Sequence, residues 1–146
     1  MTKEAIIIIA ANGNAAAQAF LEVFVRRAHY LDDLEDEPKV LRIADFESEW
    51  LFTLAGNPFF VAHREQLVPL MILALNAWAD SNKMAAGPVR DVVKGLWHEV
   101  VYMTAFIVGG WPHLRAVTAA AREYDLEVLQ GVSVTGREEA NGTLRQ

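Results

Sequence analysis

The fold is decided by residues 57–81, which read NPFFVAHREQLVPLMILALNAWADS. Asn57 followed by Pro58 is typical of a helix start, because asparagine caps the first free N–H groups and proline fits the first helical position. The apolar residues that follow predict a helix to the end of this stretch. Pro69 lies inside it, where a proline removes one backbone hydrogen bond and clashes with the preceding turn. We therefore predict one long helix with a kink or a break near residues 66–68.

Similar start and stop signals predict four further helices. They are a helix from the cap Asn14 to about Asp36, a short one from the cap Asp45 through Leu54, one from Gly87-Pro88 to Gly109-Gly110, and one from Pro112 through about Leu126. Two apolar segments, residues 5–9 and 128–134, are predicted as short strands, although a buried helix start stays open for the first. Five helices with short connections predict an all-α bundle. It forms a single domain, residues 1–135, followed by a loose polar tail at residues 136–146.

The composition excludes several classes of protein. The chain has 13 Lys and Arg against 19 Asp and Glu, a net charge of −6, and no basic cluster, so we expect no binding to nucleic acid. The absence of cysteine excludes disulfides and thiolate metal sites. The longest uncharged runs, residues 66–79 and 100–114, are shorter than the roughly 20 residues of a membrane-spanning helix. We therefore expect a soluble, cytoplasmic chain with no membrane partner.

The most unusual stretch is residues 29–36, HYLDDLED. Helical spacing places four of its side chains on one face: His29, Asp32, Asp33 and Asp36. Carboxylates this close repel one another, and a divalent cation would relieve the repulsion. Oxygen ligands suit Mg²⁺ or Mn²⁺. The alternative is that these residues form the solvated face of an ordinary surface helix.

Two polar residues interrupt apolar segments of other helices. Asn76 has apolar neighbours in sequence and shares a helix face with Asp80. Glu99 lies on the apolar stripe of the helix that begins at Pro88, where a buried carboxylate must be protonated, paired or bound to metal. We therefore predict that Asp80 and Glu99 join Asp32 in a site built from three helices. The alternatives are an interhelical hydrogen bond for Asn76 and an ion pair with an arginine for Glu99.

Residues 32–36, DDLED, resemble the DDxxD motif of α-helical isoprenoid synthases, which implies Mg²⁺ held for a substrate diphosphate. The carboxylate pairs Asp32/Glu35 and Asp33/Asp36 look like those of all-α nucleotide pyrophosphohydrolases. The blocks NPFFVAHREQLVPL, NAWADS and FIVGGWPHLR look like those of small, uncharacterised helical proteins from phages or prophages. That last likeness implies no established activity.

Two hypotheses of function follow. In the first, the protein uses Mg²⁺ or Mn²⁺ to act on a phosphorylated or diphosphate small molecule, and the metal activates a water. The predicted metal ligands are Asp32, Asp33, Asp36, Asp80 and Glu99. His29 would orient a ligand or act as a general acid, whereas His98 is predicted to be an ordinary helix residue. In the second hypothesis, the chain is a non-catalytic interaction protein that forms a homodimer or binds a host partner.

Overall fold

Helices account for almost all of the backbone that the computed structural model describes, which is residues 2–36 and 43–129, with the backbone alone at 34–36, 43–46 and 126–129. Within these ranges the elements are α1 (Lys3–Ala11), α2 (Ala15–Asp36), α3 (Ile43–Gly56), α4 (Pro58–Ser81), α5 (Pro88–Lys94), a 3-10 turn (Gly95–Trp97) and α6 (His98–Leu129). The predicted all-α bundle is therefore confirmed. No helix in this part of the chain combines the length and hydropathy needed to span a membrane.

The prediction of a strand at residues 5–9 is wrong, because this segment lies within α1. Thr2 caps the helix, and its side-chain oxygen accepts a hydrogen bond from the Ala5 N–H at 3.1 Å. Asn12 ends the helix in the left-handed conformation, with φ of 49°. Four consecutive isoleucines show neither a helical nor a strand period, so the β-branched run alone favoured a strand.

The buried face of α1 becomes visible only when the two alanines after the isoleucines are included. Its buried residues are Ile6, Ile7, Ala10 and Ala11, a helical spacing. This face packs against α2 and α6. The second predicted strand, residues 128–134, begins in the last turn of α6, and its remainder lies outside the described residues, as does the predicted tail at 136–146.

The predicted helix starts at Asn14 and Asn57 are confirmed. The Asn14 side chain accepts a hydrogen bond from the Ala17 N–H at 3.0 Å, and the Asn57 side chain accepts one from the Phe60 N–H at 2.9 Å. Asn57 also donates through Nδ2 to the backbone oxygen of Ala16 at 3.0 Å. One side chain therefore caps α4 and ties it to the beginning of α2.

The kink in α4 lies earlier than predicted. The backbone leaves helical geometry at His63, with φ of −121° and ψ of 17°, rather than at residues 66–68. The ring of Pro69 clashes with the carbonyl four residues before it, that of Glu65. His63 lies two residues before Glu65 in the chain. The distortion therefore begins in the helical turn that precedes the carbonyl with which the proline clashes.

The predicted helix between Pro88 and the glycine pair is interrupted by the 3-10 turn Gly95–Trp97. The break at the glycine pair is present as a kink inside α6, where Gly110 has φ of 75° and ψ of −170°. A Cβ on Gly109 would lie 2.5 Å from the Cβ of His113, so the imidazole packs directly over this glycine. His113 Nε2 lies 3.2 Å from the backbone oxygen of Ala10 and satisfies a free carbonyl at the end of α1.

The core joins α2 to α4 through phenylalanine rings. Phe20 is fully buried, and its ring centroid lies 5.5 Å from that of Phe60 and 6.0 Å from that of Phe59. Phe24 stacks on Phe20 one turn later, at 6.1 Å. This cluster fixes the position of the second half of α2, which carries the acidic residues, relative to α4.

Candidate functional site

The described structure contains an open cleft of about 1180 Å³. Its lining comes from every helix, and the second half of α2, the middle of α4 and the α5–α6 junction supply most of it. Ligand pockets in proteins usually have volumes of roughly 300–1,000 Å³ and combine apolar walls with a few polar groups. The cleft is large enough for a small organic ligand.

One part of the lining is an apolar wall made by α4 and the α5–α6 junction. Its members are Val68, Ile72, Leu75, Val92 and Leu96. All five are exposed, and Ile72 reaches 62% of its maximal accessible area. Contiguous exposed apolar surface on a folded domain commonly marks a binding site. Because these side chains border a concave surface together with charged groups, they are placed to contact the apolar part of a ligand.

Asp32, a principal metal ligand of the sequence hypothesis, lines the cleft and is already bound by other side chains. Trp78 donates its Nε1–H to Oδ1 of Asp32 at 2.6 Å. The Nζ of Lys94 lies 3.3 Å from the same oxygen. The two charged side chains are 30% and 29% exposed. The negative charge of Asp32 is therefore balanced by a lysine on α5, which the sequence around residue 32 did not reveal.

The other predicted ligands are dispersed. Asp33 is exposed on α2 and outside the cleft lining, and Asp80 is exposed and accepts a hydrogen bond from Asn76 Nδ2 at 3.3 Å. The side chain of Asp36 lies outside the described residues. Glu99 borders the cleft together with Asp32. Among the described side chains, no group of three or more histidines and carboxylates is arranged to hold a metal ion.

Neither Asn76 nor Glu99 is buried among the apolar residues that surround it in the sequence. Asn76 is exposed, because its face of α4 leaves even leucines in solvent. Glu99 is also exposed rather than buried on an apolar stripe. The first half of the predicted stripe, Val89, Val92 and Leu96, is exposed as well. The stripe is buried or half-buried only from Val100 onward, and Glu99 lies just outside that part.

His29 borders the cleft and contacts Lys3 from α1. The Nζ of Lys3 lies 3.3 Å from His29 Nε2. An ammonium can only donate, so Nε2 is the acceptor and the ring proton of the neutral histidine is on Nδ1. Burial lowers the pKa of His29, the positive charge of Lys3 lowers it further, and Asp32 and Asp33 oppose the shift. His29 is therefore neutral at neutral pH, with its Nε2 lone pair directed to Lys3.

Lys3 is a cation that the sequence interpretation missed. It lines the cleft, and its Nζ lies 5.8 Å from a ring centroid of Trp97. In the described part of the chain no carboxylate lies within 4.0 Å of it. Its contacts are an uncharged imidazole and an indole face. The N-capping threonine that begins α1 was the sequence signal that would have placed Lys3 on a helix.

His98 is a second functional candidate that the sequence interpretation treated as ordinary. Its Nδ1 lies 2.7 Å from the backbone oxygen of Gly95, and its ring stacks on Trp97 with centroids 3.9 Å apart. Nε2 lies 3.7 Å from Oδ1 of Asp125. Burial lowers the pKa of His98 although the charge of Asp125 raises it. No sequence pattern indicated this pair, because His98 and Asp125 lie near opposite ends of α6 and meet only across the kink at Gly110.

Tyr102 and Arg122 complete this side of the cleft. The guanidinium of Arg122 lies 5.5 Å from the ring centroid of Tyr102. Burial raises the pKa of Tyr102, and the charge of Asp125 adds to the shift. Tyr102 is therefore a neutral hydrogen-bonding group at physiological pH. The cleft thus combines an apolar wall with a polar region that contains cations, carboxylates and neutral imidazoles.

Comparisons of the chain with protein-family models, with curated proteins and with solved structures found no match.

Proposed function

We propose that this protein binds a small amphipathic molecule, with an apolar body and an anionic group, in the cleft between α2, α4 and α6. The observation that carries the proposal is Lys3, whose ammonium borders an apolar cleft and, among the described side chains, contacts only uncharged ones. A charged amine placed beside neutral groups is available to an anion from outside the chain. Charge-assisted hydrogen bonds of this kind contribute about 1.5–3 kcal/mol.

The apolar wall supports the second part of the proposal. Burying apolar surface stabilises a complex by about 25 cal/mol per Å². Exposed side chains such as Ile72 and Leu75 therefore favour a ligand with an alkyl or aromatic body. Trp50, Trp78 and Trp97 add flat aromatic surface to the lining. A purely ionic ligand would leave this surface in water.

The predicted metal-dependent reaction is a less direct interpretation of the same cleft. Asp32 would have to exchange its contacts with Lys94 and Trp78 for a cation, and the described carboxylates do not converge on one point. An anionic ligand needs no such rearrangement. A phosphorylated small molecule, as predicted from the sequence, still satisfies the proposal, because phosphate and carboxylate present the same charge to Lys3.

The test compares three probes that share a ten-carbon chain: decanoate, decan-1-ol and decyltrimethylammonium. Binding near neutral pH would be followed by calorimetry and by the fluorescence of the cleft tryptophans. We expect decanoate to bind more tightly than the other two. Decyl phosphate in place of decanoate would tell whether the anion subsite prefers phosphate.

The matched variants are Lys3→Met and Lys83→Met, since Lys83 is exposed and outside the cleft lining. Lys3→Met should weaken decanoate binding by about tenfold, equivalent to about 1.4 kcal/mol. Lys83→Met should leave it unchanged. Equal affinity of wild type for decanoate and decan-1-ol, or equal effects of the two substitutions, would overturn the proposal.

A further inference from the structure

The space between His98 and Asp125 holds two hydrogen-bond acceptors that face each other. A backbone carbonyl oxygen only accepts, so the Nδ1 that contacts Gly95 carries a proton whether or not the ring is charged. In the neutral ring Nε2 is therefore unprotonated. Nε2 lies 3.7 Å from Oδ1 of Asp125, which is too far for a direct hydrogen bond. Both residues line the cleft.

Such a pair is completed by a group that donates two hydrogen bonds. A hydroxyl has one hydrogen and satisfies one of the two acceptors, whereas a primary ammonium has three. The carboxylate of Asp125 also favours a positive charge at this point. Glu99, which borders the cleft beside His98, adds a second negative charge nearby.

We infer that the ligand of the cleft carries a primary ammonium group, which binds between Nε2 of His98 and the carboxylate of Asp125. This inference rests on the proposed function, which supplies the apolar body and the anionic group. The ligand is then an amphipathic amino acid or a related zwitterion. Its acid contacts Lys3, and its apolar chain lies against the wall formed by α4.

Trp97 is a neighbour of both subsites. Its ring stacks on His98 at 3.9 Å and lies 5.8 Å from the Nζ of Lys3. The anion subsite and the ammonium subsite therefore adjoin the same indole. The charge of Lys3 also acts on His98. An α-amino acid, whose two charged groups are joined through one carbon atom, is therefore the smallest probe for the two subsites.

The experiment uses a series that changes only the substituent beside the acid: decanoate, 2-hydroxydecanoate and 2-aminodecanoate. Affinities would be measured by calorimetry at about pH 8, where an unperturbed histidine is neutral. With the wild-type protein we expect 2-aminodecanoate to bind at least about tenfold more tightly than decanoate, equivalent to about 1.4 kcal/mol. The hydroxy acid should fall between them, because it satisfies only one acceptor.

Asp125→Asn is the decisive variant. The substitution removes the negative charge and puts an amide donor in the place of a carboxylate acceptor. 2-Aminodecanoate should then bind no more tightly than decanoate, whose binding is retained. Glu123→Gln is the matched control, because Glu123 is an exposed acid on the same helix and outside the cleft lining. It should leave the full advantage in place.

The outcomes separate the two proposals. If decanoate binds through Lys3 and the amino acid gains nothing, the ammonium site is wrong and the proposed function stands. An advantage that survives Asp125→Asn would likewise overturn the ammonium site. If neither compound binds the wild-type protein, the proposed function fails and the ammonium site fails with it.

Discussion

Asp32 and Lys94 meet at the cleft, with the carboxylate Oδ1 and the ammonium Nζ 3.3 Å apart. The indole of Trp78 donates to the same oxygen at 2.6 Å. The three side chains belong to α2, α5 and α4, so one carboxylate oxygen connects three helices. The aspartate that is most unusual in the sequence therefore has a structural partner on each of two other helices.

The first prediction concerns the stability that this contact provides. Asp32→Ala removes the acceptor of the Trp78 N–H and the partner of Lys94, and we expect it to lower the free energy of unfolding by about 1–2 kcal/mol. Asp32→Asn keeps an acceptor oxygen for Trp78 and should cost about half as much. Urea denaturation measures both.

The matched control for Asp32 is its neighbour on the same helix. Asp33 is exposed and outside the cleft lining, so Asp33→Ala should change the free energy of unfolding by less than about 0.5 kcal/mol. If Asp33→Ala costs as much as Asp32→Ala, the loss reflects general effects on α2, and the contact with Trp78 and Lys94 would not explain it.

The second prediction tests the Mg²⁺ or Mn²⁺ site that the acidic cluster suggested. A metal bound to the native state raises the melting temperature in proportion to the logarithm of its concentration. The metal hypothesis therefore predicts stabilisation by added Mn²⁺, reversal by EDTA and loss of the effect in Asp32→Asn. Thermal melts of wild type and variant that are unaffected by Mn²⁺ would exclude Asp32 as a ligand.

The all-α class and two helix caps could be predicted because their causes are local. Asn14 and Asn57 each accept a hydrogen bond from an N–H three residues ahead, so a short stretch of sequence contains the whole interaction. The error at α1 has a local cause as well. Four adjacent isoleucines carry no periodic signal, and the helix is stabilised by burial against α2 and α6.

The site could be predicted only in part, because its contacts depend on the phase of distant helices. Asp32 was found, since its acidic neighbours make it conspicuous. Its partner Lys94 lies on another helix, and the apolar stripe that was expected to bury Glu99 is exposed along its first half. The pairing of His98 with Asp125 depends on the kink at Gly110. The glycine pair predicted a break there, but the sequence did not indicate which residues of the two halves would meet.

The third prediction concerns the kink in α6. Gly110 has φ of 75° and ψ of −170°, a backbone conformation that is nearly restricted to glycine. Gly110→Ala should therefore lower the free energy of unfolding by about 1–3 kcal/mol. Gly56→Ala is the control, because a Cβ there meets no atom within 4 Å and the residue has no positive φ. Similar losses for the two substitutions in urea denaturation would contradict the role assigned to the kink.

The fourth prediction is that stability depends on pH through His98. Burial lowers the pKa of His98, and the positive charge of Lys3 lowers it further. The negative charge of Asp125 opposes this shift. In the unfolded chain the imidazole has a pKa of about 6.5. Below that value the unfolded state binds more protons than the native state, so protons favour unfolding. The contribution of neutral His98 to stability is therefore fully present above about pH 6.5 and is lost as the pH falls through the lowered pKa.

The charged and titratable groups around His98 are Lys3 on α1 and Glu99, Tyr102, Arg122 and Asp125 on α6. Carboxylates that titrate at lower pH add their own slope, so the measurement is a difference between variants. His98→Gln keeps a neutral hydrogen-bonding side chain that does not titrate. Urea denaturation from about pH 8 to about pH 5 should show a smaller loss of stability in His98→Gln than in wild type. Identical pH profiles for the two proteins would mean that His98 has the same proton affinity in the folded and unfolded chains. That result would contradict the lowered pKa of the buried imidazole.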